Sequence, residues 1–133
     1  MASPSKVFAV VSSILGSVQE TSSSYAASYR VSKAALNMAC KTLACEESVQ
    51  EGGGKVLVIH PGWVDTDMGR AGGRNPPLTV EQSAAGIAQV IDRAVQHQGA
   101  QQAGADSGDD IVANHLARNS CVYVDYKGDV LPW

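Results

Sequence analysis

Tyr29 and Lys33 stand four residues apart in Ser28-Tyr29-Arg30-Val31-Ser32-Lys33, at the head of an alanine-rich run. On a helix that spacing puts both side chains on one face, a turn apart. A free phenol has a pKa of about 10 and exchanges protons poorly near neutrality. An ammonium group beside it favours the phenolate, which is how a general acid–base residue is tuned to its task. Taken alone, such a pair is common on solvated helix faces. Its setting gives it meaning. Two hydroxyls, Ser12 and Ser13, end the valine-rich run Val7–Val11 upstream. Downstream, Pro61-Gly62-Trp63-Val64-Asp65-Thr66-Asp67 follows a second apolar run, Lys55–His60. Tyr25 competes for the acid role, but the residue four on is Tyr29 rather than a lysine, so it is set aside.

Elements of definite kinds must hold these groups. Val7–Val11 reads as a strand buried on both faces of a parallel sheet, and open α/β sheets place ligands at the C-terminal ends of their strands. Ser22–Ser24 offer N-caps for one long helix over about Tyr25–Gln50. Along it, Val31, Ala35, Met38, Thr42, Cys45 and Val49 form a stripe suited to the sheet, with Tyr29, Lys33 and Cys40 on an adjoining face. Gly52-Gly53-Gly54 stops that helix, and Lys55–His60 is a second strand. Arg70–Pro77 reads as a mobile loop. Thr79 and Gln82 make a capping box for a helix to about Gln96. Residues 96–110 read as a flexible, low-complexity insertion, Ile111–Arg118 as a short helical turn, and Cys121–Tyr126 as a third strand. Strand–helix–strand–helix–strand implies an α/β fold with right-handed parallel crossovers.

The ordered set Ser-Ser-Ile-Leu-Gly-Ser (12–17), Tyr-Arg-Val-Ser-Lys-Ala-Ala-Leu-Asn (29–37) and Pro-Gly-Trp-Val-Asp-Thr-Asp-Met-Gly (61–69) resembles the C-terminal half of the short-chain dehydrogenase/reductases. Within that family the wording is most similar to the sniffer- and C-factor-like carbonyl-reductase branch. The likeness runs from about Val7 to Ile91, with a weaker match at the last strand. It implies a Rossmann-like, doubly wound parallel sheet and an NAD(P)-dependent oxidoreductase, with NADP favoured over NAD. By the same resemblance, Tyr29 protonates the carbonyl oxygen of a small carbonyl or alcohol substrate while a nicotinamide exchanges hydride with carbon. Lys33 would favour the phenolate and bond the nicotinamide ribose, and Ser13 would hold the substrate oxygen, with Ser12 serving the loop. Pro61, Gly62, Val64 and Thr66 would cradle the nicotinamide. Relatives usually carry a basic residue where this chain has Asp65, which puts a phosphate contact there in doubt.

The family's opening glycine-rich turn, whose amides and helix N-terminus hold the pyrophosphate, follows none of these strands. Its Asn-Ala-Gly segment and the asparagine of its proton relay are absent too. The sequence starts where the family's fifth strand should begin. The expectation is therefore a single partial domain over residues 1–133, lacking the nucleotide-binding half and inactive by itself. Its first strand would present an unpaired apolar edge, an aggregation hazard. A second reading follows: a catalytically silent fragment that forms a homo-oligomer or pairs with a full-length homologue.

Composition bounds the rest. The 133 residues suit one domain, and 44% apolar with 17% charged residues reads as globular. A net charge of −3 provides no field for nucleic acid and no polybasic membrane patch. Cys40, Cys45 and Cys121 are odd in number and hold no C-x-x-C, so neither a disulfide framework nor a metal site is expected, and a reducing, cytoplasmic location is. His60, His97 and His115 are scattered. The run after Lys6 is too broken by serines for a signal peptide, and no stretch approaches the ~20 apolar residues of a membrane span.

Overall fold

In the computed structural model, residues 6–102 and 110–133 are described. The elements in chain order are β1 (Val7–Val11), a 3-10 turn (Ile14–Gly16), α1 (Ala27–Leu43), α2 (Glu47–Glu51), β2 (Lys55–His60), α3 (Asp67–Arg70), α4 (Val80–Gln102), α5 (Ile111–Arg118) and β3 (Cys121–Asp125). The three strands form one parallel sheet in the order β1-β2-β3, with Val11 level with Ile59 and His60 level with Asp125. Helices cover both faces, which is the three-layer α/β arrangement expected.

Alternation along the strands divides the core. Leu57, Ile59, Val122 and Val124 face α4 and α5 and pack on Val90, Ala94, Val112 and Leu116. Val56, Val58 and Tyr123 face α1 and pack on Cys40 and Ala44. Each aliphatic side chain so buried contributes about 1.5–3 kcal/mol. β2 is buried because it has a strand on either side and a helix over each face. β1 is not, and here the expectation of a doubly buried strand fails. It is the sheet's edge, and Phe8 is 55% exposed. The unpaired apolar edge expected of the chain by itself is present.

Helix α1 departs from expectation in three ways. It starts at Ala27, because Ala26 is left-handed (φ 55°), and none of Ser22–Ser24 caps it. It stops at Leu43, where Cys45 N–H turns back to the Thr42 carbonyl (3.0 Å), and the chain restarts as α2. Its buried side is Asn37 and Cys40, not the apolar stripe: Val31 is 69% and Met38 66% exposed. The polar face containing Tyr29 and Lys33 is the one that turns inward, because it has a strand end to bond to.

Other boundaries shift. The capping box forms as read, with Thr79 N–H on Gln82 Oε1 (3.0 Å) and Gln82 N–H on Thr79 Oγ1 (3.1 Å). The helix behind it runs to Gln102, however, so the first residues of the expected insertion are helical; residues 103–109 lie outside those described. The expected turn at 111–118 is a full helix, because the Asp110 carboxylate accepts from Ala113 N–H (3.1 Å) and Val112, Ala113 and Leu116 are buried. Among the described residues no helix is long and apolar enough to cross a membrane.

Candidate active site

The C-terminal ends of the strands lie side by side. Ser12 N–H donates to the Ile59 carbonyl (2.7 Å), so Ser12-Ser13 leaves the sheet beside His60-Pro61, and His60 stands level with Asp125. After a right-handed crossover α1 returns antiparallel to the strands, which brings its first turns, with Tyr29 and Lys33, over this end.

The approach of α1 is close because of Gly16. A Cβ there would stand 2.8 Å from the Lys33 carbonyl carbon and 3.0 Å from Asn37 Nδ2. Lys33 and Tyr29 are half-buried, and the Lys33 ammonium lies 5.6 Å from the Tyr29 ring centroid. Below them, Ser12 Oγ donates to Asn37 Oδ1 (2.6 Å) in a buried contact, while Ser13 Oγ accepts from Leu15 N–H (3.2 Å) as cap of the 3-10 turn. The Ser13 hydroxyl proton is therefore free to be donated elsewhere, whereas Ser12 is committed to the helix.

Tyr123 joins the two halves of the site. Its phenol donates to the Ser13 carbonyl. Burial pushes the phenol above its ordinary pKa, and the Asn37 amide, close but without a well-formed hydrogen bond, opposes it. Sequence reasoning missed Tyr123 and Asn37. An asparagine on the inward face of an alanine-rich helix was the available signal for Asn37; a tyrosine within an apolar strand carries none.

The downstream segment is a separate, tightly held bend. Ser83 Oγ on α4 donates to the Pro61 carbonyl (2.7 Å). Gly62 has φ +83°, and a Cβ there would meet Leu78 at 2.4 Å. Asp65 N–H bonds the Leu78 carbonyl (2.7 Å), beside the bridge that pairs Val64 with Leu78. Thr66 caps α3, its hydroxyl accepting from Gly69 N–H (3.1 Å). Asp65, the residue out of keeping with the family's pattern, is paired with Arg70 at 2.5 Å, and Asp67 shares that guanidinium at 3.1 Å. The loop expected to be mobile is tethered: Arg74 donates to the Tyr25 phenol and lies over its ring at 5.1 Å.

His60 is a further titratable group at this edge. Burial pushes its pKa below the ordinary value, partly opposed by Asp125, and its Nδ1 is buried without a hydrogen-bond partner. Two of the three thiols are held protonated: burial raises Cys40 and carries Cys121 to about 12.

No family model matches the chain. Individual proteins do. C-signal of Myxococcus xanthus is 32% identical over 123 residues, covering 92% of this chain and 58% of that protein. The carbonyl reductase Sniffer of D. melanogaster superposes with a TM-score of 0.68 at 31% identity, over 98% of this chain and 44% of Sniffer. The NADPH-bound carbonyl reductase from chicken fatty liver gives 0.65 at 28% identity, over 96% of this chain and 42% of that enzyme. With the parallel sheet and the ordered serine, tyrosine and lysine at its edge, these likenesses support a fragment of the short-chain dehydrogenase/reductase kind. Both solved structures are carbonyl reductases, and the chain spans about half the length of the proteins it matches.

Proposed function

We propose that this chain carries the proton-transfer part of an NADP(H)-dependent carbonyl reductase, as one partial domain. The observation that supports the reading is the close approach of α1 at Gly16, which sets the Lys33 backbone against the turn that Ser13 caps, with the Lys33 ammonium 5.6 Å from the Tyr29 ring centroid. The Ser13 hydroxyl donates to the substrate's carbonyl oxygen and fixes its position. Tyr29 gives that oxygen its phenolic proton as the C=O π bond breaks, and Lys33 stabilises the phenolate left behind. NADPH, when bound, supplies one hydride to the carbonyl carbon, so the product gains one C–H and one O–H bond. Alcohol oxidation is the same step reversed.

The residues present suit the nicotinamide–ribose end of that cofactor. Among the described residues, the one partner of the Lys33 ammonium is the Tyr29 ring face, which leaves its three N–H donors for a ribose. The bend Pro61-Gly62-Trp63-Val64 stands at the next strand end, with the Thr66 hydroxyl beyond it. For the pyrophosphate, no glycine-rich turn follows any of the three strands. The preference for NADP(H) rests on the chicken enzyme. Free thiols suit a reducing compartment such as the cytoplasm.

A second reading is favoured by one observation, the exposed apolar surface of α1 and β1. On it the chain is a silent partner that self-associates or pairs with a full-length relative, and these 133 residues do not turn over alone. One assay separates the two. Saturable NADPH binding with carbonyl-dependent oxidation, lowered about 10²–10⁴-fold by Tyr29→Phe, supports the enzyme. Absence of binding at millimolar NADPH supports the silent partner.

A further inference from the structure

Tyr123 is the largest fully buried side chain of the core, 1% exposed, and its hydroxyl makes a buried hydrogen bond to a residue 110 positions earlier. The acceptor is a backbone carbonyl, which cannot donate, so the bond's polarity is fixed: the phenol must keep its proton. The burial that raises its pKa secures this. The carbonyl is that of Ser13, where the chain leaves β1 in extended conformation (φ −156°, ψ 145°) and begins the 3-10 turn. That carbonyl also accepts from Gly16 N–H (2.9 Å), and the phenol's second bond to it braces the Ser13 peptide plane, from which the Leu15 N–H bond to Oγ directs the hydroxyl.

Tyr123 is itself braced. The Trp133 ring stacks at 5.3 Å and 35°, and the Lys41 ammonium lies 4.5 Å above Trp133. Leu131 N–H bonds the Tyr123 carbonyl (2.8 Å), and the Trp133 carbonyl takes Gln19 N–H (3.0 Å), tying the tail to the loop after Ser13. On the other side, Asn37 accepts from Ser12. We propose that Tyr123 is a positioning residue: its phenol hydroxyl holds the Ser13 carbonyl so that the Ser13 hydroxyl is aimed before substrate arrives. The importance of that aim rests on the reading of Ser13 above; the hold itself does not.

Nuclear magnetic resonance on the full 133-residue chain tests it with two variants. Tyr123→Phe removes the hydroxyl and keeps the ring. Trp133→Phe loosens the packing and keeps the hydroxyl. The expected result is that Tyr123→Phe shifts the Ser13 carbonyl ¹³C resonance upfield and speeds Leu15 amide exchange about tenfold, while Trp133→Phe leaves the Ser13 carbonyl resonance in place. An unmoved Ser13 carbonyl in Tyr123→Phe overturns the proposal. So does an equal shift in both variants, which would make the effect general loosening. In the NADPH-loaded protein, Tyr123→Phe should lower kcat about tenfold with KM for NADPH unchanged. If Ser13→Ala leaves turnover intact, the oxygen-holding role fails, and the resonance result still decides whether Tyr123 holds the Ser13 carbonyl.

Discussion

At the scale of single residues, the site is a set of side chains whose hydrogen-bonding capacity has been divided unequally. Ser12 spends its proton on Asn37, while Ser13 uses a lone pair on its own turn and keeps its proton. Identical residues in adjacent positions acquire different roles because one bonds a helix side chain and the other caps its own turn. His60 carries a pH consequence. Its folded pKa is depressed by burial, so the unfolded chain takes up a proton first as pH falls. Its contribution to stability is complete above about pH 6.5 and declines as pH drops below that value towards the folded one, by at most about 1.4 kcal/mol per pH unit. Urea midpoints at pH 7.5, 6.5 and 5.5 should fall below about 6.5, and a His60→Gln variant should flatten that fall. An unchanged fall in the variant would assign it to other groups.

At the scale of elements, the site depends on how near α1 comes to the end of β1. Gly16 sets that distance. A methyl group there would overlap Lys33 backbone, which cannot rotate away. Gly16→Ala is therefore expected to cost about 1–3 kcal/mol by overpacking, read as a lower urea midpoint, and to lower NADPH-dependent turnover more than its stability loss explains. A neutral Gly16→Ala would show that α1 can shift without consequence. The opposite wall is built on the same plan: Ser83 on α4 holds the Pro61 carbonyl, and the Gly62 bend fits under Leu78.

At the scale of the whole molecule, the three-stranded sheet is closed on one side and open on the other. β3 is covered by the tail through Leu131 N–H on the Tyr123 carbonyl, whereas β1 presents Phe8 and Val11 at an unpaired edge. Edges of this kind recruit other strands. The chain is expected to elute above its monomer size at micromolar concentration, and the double variant Phe8→Lys, Val11→Lys to shift it towards monomer. Light scattering coupled to size exclusion checks this. A wild-type chain that is monomeric at every concentration would refute it.

What the sequence determined by itself was whatever local chemistry enforces. The strands Val7–Val11, Lys55–His60 and Cys121–Asp125, the Thr79 capping box and the order of the serine, tyrosine, lysine and Pro-Gly motifs all depend on neighbours within a few residues. The start of α1 at Ala27, its inward polar face, the exposure of β1 and the Asp65–Arg70 pair were decided by the tertiary structure. So was the hold of Tyr123 on Ser13. The stripe Val31, Ala35, Met38 had the period of a buried face, but period says only that residues share a side. Which side turns inward depends on what stands opposite, and here that was a strand end with carbonyls and hydroxyls to satisfy, where Asn37 outweighed the apolar stripe.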